Sequence, residues 1–198
     1  MALSAQTPRP QPPATMEDFL AIPAADRWHE FVDGKIVQRA MPVSEHGRAQ
    51  GRLYAMLDTY DGPADPEGKD RRRGGWWFVI DTEVDFPQMG RRFRPDLTGW
   101  RCDRMPNPPR GVPTLRPDWV CEIISPEKRR YDVVEKRLYY AEAAIPFYWL
   151  LDYERATLTA LQLDGDRYVQ LGEAGLQDAP RFAPFDLIDI PIARLFPR

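Results

Sequence analysis

The pattern of apolar and polar positions divides the chain into short elements. Thr15 stands ahead of the apolar pair Phe19-Leu20, with Asp18 at the third helical position. That predicts a short capped helix, closed by Pro23. Trp28 to Val32 and Lys35 to Gln38 flank Asp33-Gly34, a dipeptide that accepts positive φ and so marks a hairpin turn. Behind Ser44, a candidate cap, Leu53, Met56, Leu57 and Tyr60 recur at three- and four-residue spacing. A helix over 45–60 follows from that period. The stretch from Asp61 to Gly75 has no apolar period and reads as a surface loop. Two β-rich runs come next, WWFVIDTEVDF (76–86) and RRFRPDLTGW (91–100), read as the arms of a second hairpin or meander.

After a Pro-rich excursion over 105–113, WVCEIIS is too apolar for an exposed edge and predicts a central strand. Residues 128–144 then read as a helix with Val134, Leu138 and Ala141 on its inner stripe. IPFYWLLD is a second buried strand, so strand, helix and strand make an α/β core. ATLTALQL and RYVQL flank Asp164-Gly165-Asp166 as a hairpin, and FDLIDIPIARLF reads as a short strand with a closing helical turn. No internal repeat is visible.

Composition narrows the setting. The chain has 198 residues, 43% hydrophobic, with 27 Lys+Arg against 30 Asp+Glu. One domain over 15–198 is expected, preceded by a disordered Pro-rich tail, 1–14. Cys102 and Cys121 fit neither a disulfide framework nor a metal-binding pair, which points to free thiols and a cytoplasmic setting. No apolar run is long enough to span a membrane, and the start lacks the apolar segment of a secretory leader. The near-neutral charge argues against nucleic-acid binding through bulk charge and leaves room for a local basic groove.

Candidate chemistry begins at Glu122, a carboxylate inside the apolar run Trp119 to Ile124. Such a group stands only if paired, hydrogen-bonded or bound to a cation. A functional acid and a structural ion pair both satisfy that condition. Asp96, after Pro95, reads either as a turn former or as a second acid. Two acids on adjacent strands can hold one hard cation such as Mg²⁺. His29 and His46 do not have the spacing of a zinc site, and no GxSxG, P-loop or GxGxxG is present. Asp132 and Lys136, one helical turn apart, read as a surface salt bridge or as part of a site. Alternation sets Val120, Glu122 and Ile124 on one face of their strand, with Cys121 and Ile123 on the other.

In this order, Pro95-Asp96, Glu122-Ile123-Ile124-Ser125-Pro126, Arg130-x-Asp132-x-x-x-Lys136-x-x-x-Tyr140 and Phe147-Tyr148-Trp149-Leu150-x-Asp152 resemble the Uma2 (DUF820) family of bacterial proteins. That family belongs to the PD-(D/E)XK superfamily. The likeness extends upstream to Glu30-Phe31-Val32-Asp33-Gly34 and covers roughly 16–196. It implies an α/β (α+β) restriction-endonuclease-like mixed sheet flanked by helices, with N- and C-terminal hairpins. It also implies that Asp96 and Glu122 are ligands of a catalytic Mg²⁺, with Mn²⁺ as a substitute, and that a lysine assists the attacking water.

Ile124 stands where the superfamily's usual lysine would be. The resemblance therefore moves that role to Lys136, with Lys128 as the fallback. Glu30 resembles an additional N-terminal acid, and Glu83 is a further inward candidate. Arg94, Arg130 and His46 are expected at the nucleic acid, whereas Arg71 to Arg73 fit a solvated loop as well as a DNA contact. The expected function is a metal-dependent DNA endonuclease. The alternatives are an inactive nuclease-fold module that binds nucleic acid and an oligomeric interaction module. A homodimer is expected if the aromatics exceed what one core needs.

Overall fold

Ten strands divide between two sheets in the computed structural model, which describes residues 12–65 and 73–196. The smaller sheet holds β1 (His29–Val32), β2 (Lys35–Gln38), β4 (Val84–Phe86) and β5 (Arg91–Phe93) in the order β2-β1-β5-β4. The larger holds β3 (Trp76–Ile80), β6 (Leu97–Arg101), β7 (Trp119–Ile124), β8 (Phe147–Asp152), β9 (Thr157–Asp164) and β10 (Arg167–Ala174) in the order β10-β9-β8-β7-β6-β3. Within the larger sheet β7 and β8 run parallel, the one pair joined through a helix, and the remaining pairs are antiparallel. The central position expected for Trp119 to Ile124 is found, and so are both terminal hairpins.

The expected second hairpin is corrected. Each of its two runs breaks in the middle: β3 pairs with β6 in the larger sheet, while β4 pairs with β5 in the smaller. Asp81 and Thr82 interrupt the first run, and Asp81 takes positive φ (48°). Pro95 interrupts the second by removing a backbone donor. Within these two runs the chain thus crosses between sheets twice, and the two crossings are joined where the Asp81 amide donates to the Asp96 carbonyl at 3.1 Å.

Helices complete the layers. α1 (Met16–Ala21) is capped as expected, the Thr15 hydroxyl accepting from the Asp18 amide at 3.1 Å while the Asp18 carboxylate accepts from the Thr15 amide at 2.8 Å. α2 (Ser44–Leu57) and α4 (Ile192–Leu195) cover one face of the larger sheet, with Leu53, Leu57, Trp119, Trp149 and Phe185 in the core between them. α3 (Lys136–Glu142) and the smaller sheet enclose the other face around Phe93, Trp100, Val120, Ile124, Tyr140 and Tyr148. Burying an aliphatic or aromatic side chain of this size contributes roughly 1.5–3 kcal/mol, so these two apolar layers dominate the fold.

Two further expectations fail. The helix over 128–144 is composite: a 3₁₀ turn, Pro126–Lys128, then a π turn, Tyr131–Glu135, then α3. Its supposed inner stripe faces water, with Val134 49% and Leu138 66% exposed, although Ala141 packs partly on the second core. The buried face is instead Asp132, Lys136 and Tyr140, because carboxylates wait beneath it. At the other end FDLIDIPIARLF forms no strand. Phe185 is a plug among Tyr60, Trp76, Phe78, Trp119 and Trp149, with ring centroids 5.1–5.4 Å away. Of the Pro-rich tail, 1–11 lie outside the described residues, as do Arg71 and Arg72. Ala14 is tied down by the hydrogen bond that its backbone amide donates to the Gly34 carbonyl at 2.8 Å. Both cysteines are free thiols. Among the described residues no helix is long and apolar enough to cross a membrane.

Candidate active site

The site forms where β7, the crossing before β6, the first hairpin and the π turn meet. Glu122, on the same face of β7 as Val120 and Ile124, is buried and receives Lys136 Nζ at 2.9 Å on Oε1. Tyr140 Oη donates to the same oxygen at 2.5 Å. Lys136 Nζ also lies 3.1 Å from Glu30 Oε1 and 3.6 Å from Asp132 Oδ1. Glu30 comes from β1, its Oε1 accepting the Arg94 amide at 3.0 Å and its Oε2 the Tyr131 hydroxyl at 3.0 Å. Tyr148 Oη donates to the Asp132 carbonyl at 2.7 Å, pinning the π turn to β8. Single π turns concentrate at functional sites. Here one carries two of the polar side chains that line the floor.

Asp96 sits beside this group. Leu97 pairs with Cys121 in an antiparallel register, which brings Asp96 level with Glu122. Its Oδ2 accepts the Ile123 amide at 2.7 Å and lies 3.2 Å from His46 Nε2. Its Oδ1 is paired with the Arg39 guanidinium, which also holds Asp81 Oδ1 at 3.2 Å. Gln50 Nε2 donates to Asp81 Oδ2 at 3.1 Å and to the Asp96 carbonyl at 2.8 Å. His46 and Gln50 are four apart on α2 and share a face, so the helix meets the inter-sheet crossing with two polar groups.

Charge in the site is unbalanced. Four buried carboxylates, Glu30, Asp96, Glu122 and Asp132, face two fixed cations, Lys136 and Arg39. Burial pushes Glu122 up to about 8, helped by Asp96, Asp132 and Glu30, and Lys136 only partly opposes this. Burial likewise raises Asp132 to about 6. For Asp96, burial is outweighed by the hydrogen bond from His46 and the charges of Arg39 and Lys136, and the carboxyl is held at about 2. Burial would lower Lys136, yet Glu122, Glu30 and Asp132 together push it well up, so it remains an ammonium.

The carboxylates, Lys136, Tyr131 and His46 line a cavity of about 40 Å³, room for a few water-sized groups. Among the described residues no group of three or more His, Cys, Asp and Glu side chains is arranged to hold a metal. A metal here would rest on two carboxylates and take its remaining ligands from water or substrate, the habit of Mg²⁺. The donors are all oxygen, as such an ion prefers, and the four carboxylates of the site outnumber its two fixed cations, Lys136 and Arg39.

The other expected residues separate clearly. His46 is buried against Asp96, and its Nδ1 is buried with no partner. Arg94 is packed on Glu83 at 2.7 Å and over the Trp28 ring; Arg27 and Arg92 each reach Glu83 at 3.3 Å, so Glu83 anchors an arginine cluster beside the site. Arg130 projects outward with its side chain 87% exposed. Lys128 lines the cavity, while Ile124 belongs to the second core. Arg39, Gln50, Asp81 and Tyr131 are missed by the sequence reading. A usable clue existed for Gln50, which shares a helical face with His46, and for Asp81, which breaks a β-run.

These elements define a mixed α+β, nuclease-like fold with an acidic cleft. The Uma2 family model, described as "Putative restriction endonuclease", matches residues 16–187, and the chain belongs to that family. Among solved structures, the chain is similar to a "putative nuclease belonging to DUF820" from Anabaena variabilis. That likeness has a TM-score of 0.73 at 21% identity, covering 93% of this chain and 98% of the other. Comparison with curated proteins gives no match.

Proposed function

We propose that this protein is a metal-dependent endonuclease that hydrolyses phosphodiester bonds of DNA, with Asp96 and Glu122 as ligands of Mg²⁺ or Mn²⁺ and Lys136 acting at the attacked phosphate. The observation that carries the reading is the burial of Lys136 among Glu122, Glu30 and Asp132 at the floor of an open cavity. Buried charges of this kind are poor stabilisers compared with apolar packing, so stability alone does not account for them. The family description favours a nucleic-acid substrate.

When bound, the metal supplies charge neutralisation at the phosphate and acidifies water. The protein's own groups do the rest. His46, Arg39 and the Ile123 amide keep Asp96 ionised and fixed in direction. Lys136, protonated through neutral pH, has three donors, two of them held by Glu122 and Glu30, so the third, which faces Asp132 at 3.6 Å, is the one that would turn to the phosphate oxygen on which charge develops. It therefore positions and stabilises, and is not the base. Glu30, itself oriented by Tyr131 and the Arg94 amide, holds the ammonium in place.

One observation favours a second reading. Asp96 and Glu122 each already have a protein cation, Arg39 and Lys136, as in a nuclease-fold module that binds nucleic acid without turnover. Nicking of supercoiled plasmid in Mg²⁺ or Mn²⁺, set beside calorimetric titration with each metal, separates them. The hydrolase reading expects metal binding and nicking, both lost in Asp96→Asn. Metal-independent DNA binding with no nicking in either ion supports the module.

A further inference from the structure

A second cavity adjoins the acidic one and is larger, about 290 Å³. Tyr153, on the turn after β8, lines both. So does the first turn of α2, which sends His46 into the acidic cavity and Glu45 and Arg48 into the other. Leu176, Leu195 and Phe196 give the larger cavity apolar walls.

Size decides what each cavity can take. The acidic cavity admits a phosphate oxygen and water, not a nucleotide. The larger one falls near the lower end of the range for small-molecule sites. It combines an aromatic face with groups that read base edges: a carboxylate accepts from an exocyclic amine, and a guanidinium donates to base acceptors. The turn carrying Tyr153 is held rigidly, because the Asp152 carboxylate accepts the amides of Glu154 and Arg155 at 3.1 Å each and also pairs with Arg129 at 2.5 Å. Exposed Met41 (66%) and Val43 (49%) line the acidic cavity as well. Glu30, Glu122 and Lys136, at most 2% exposed, lie too deep for a phosphate in an intact, fully stacked duplex to meet without local opening.

We propose that the cavity behind Tyr153 is a nucleobase subsite, which receives the unstacked base next to the cleaved phosphodiester and makes single-stranded or locally opened DNA the preferred substrate. The inference rests on the hydrolase reading for its scissile phosphate. Extruding a base from a duplex costs a few kcal/mol, and that cost disappears in a strand already open.

The test uses the full-length protein with a single-stranded oligonucleotide carrying 2-aminopurine, and with its duplex. Both are titrated in Ca²⁺, a hard cation with the same preference for oxygen ligands. Single strand is expected to bind at least tenfold tighter than duplex, with 2-aminopurine emission quenched by stacking. Tyr153→Ala should weaken single-strand binding about tenfold and abolish the quench, whereas Tyr153→Trp keeps both. Should Tyr153→Ala fail to fold, exposed Arg48→Glu serves instead and should weaken single-strand binding several-fold.

Equal affinity for both forms, absence of single-strand binding, or a quench indifferent to Tyr153 overturns the subsite. Quenching and Tyr153-dependent binding without hydrolysis in Mg²⁺ would keep the subsite and remove the hydrolase reading. Nicking that is unaffected by Tyr153→Ala would do the reverse.

Discussion

Lys136 on the helix and Glu122 on the central strand meet at 2.9 Å with both side chains withdrawn from water. Glu30 and Asp132 face the same ammonium, so Lys136 cannot be removed without leaving buried carboxylates that lack a cation. Lys136→Ala strands Glu122 and Glu30 as buried carboxylates, and should destabilise the protein by about 3–5 kcal/mol besides removing nicking. Lys128→Ala should change both by far less. Urea denaturation and plasmid nicking read the two effects, and the opposite ranking would transfer the role to Lys128.

Glu122→Gln keeps an acceptor for Tyr140 and Lys136 while removing the buried carboxyl that a metal would need ionised. It should cut nicking by at least about a hundredfold. In EDTA it should leave the protein as stable as wild type or more so, as expected where function tolerates local repulsion. Mg²⁺ should raise the melting temperature of the wild type and not of the variant.

The pH dependence has a definite sign. Glu122 rises to about 8 from 4.5, and Asp132 to about 6 from 3.8. In that window the folded protein binds protons that the unfolded chain has released, so stability without metal falls as pH rises from about 4.5 to 8. Asp96, held at about 2, contributes in the opposite direction, but only below its ordinary 3.8. Unfolding free energy measured in EDTA at pH 5 and 8 should differ by more than about 1 kcal/mol. Glu122→Gln should flatten the profile.

Val134 and Leu138 face water while Tyr140 is buried. Val134→Ala and Leu138→Ala should each shift stability by less than about 0.5 kcal/mol, whereas Tyr140→Ala should cost about 3–5 kcal/mol. A large loss at Leu138 would mean that a partner covers that face.

Arg130 and Arg94 should behave differently toward DNA. Exposed Arg130, mutated to Ala, is expected to weaken binding uniformly across sequences and to lower the salt slope by about one. Arg94→Ala should instead loosen the cluster on Glu83 and lower the melting temperature. Filter binding across a salt series, alongside thermal melts, tells them apart.

Local chemistry explains what was legible. Glu122 stood out because a carboxylate inside Trp119 to Ile124 has no apolar excuse, and Asp33-Gly34 because its turn geometry is local. The helix after Glu122 hides its orientation for a physical reason: an apolar period marks the buried face only where that face is apolar, and here Asp132 and Lys136 are on it. Lys136 could be singled out from an ordinary surface pair only through the family resemblance, since spacing says nothing of what lies opposite. Arg39 gave no sign at all, being a polar residue at a strand end whose partner, Asp96, is distant in sequence.

The two inter-sheet crossings carry a mechanical consequence. Asp96 lies on one crossing and Asp81 on the other, while Glu30 and Arg39 arrive from the hairpin of the smaller sheet. The acidic cleft is therefore a seam between two sheets and not a pit within one. If the smaller sheet slides against the larger, Glu30 leaves Lys136 and Arg39 leaves Asp96 in the same motion. The state of these ion pairs thus gauges how well the halves are docked, and amide exchange in the first hairpin should rise together with any loss of metal affinity.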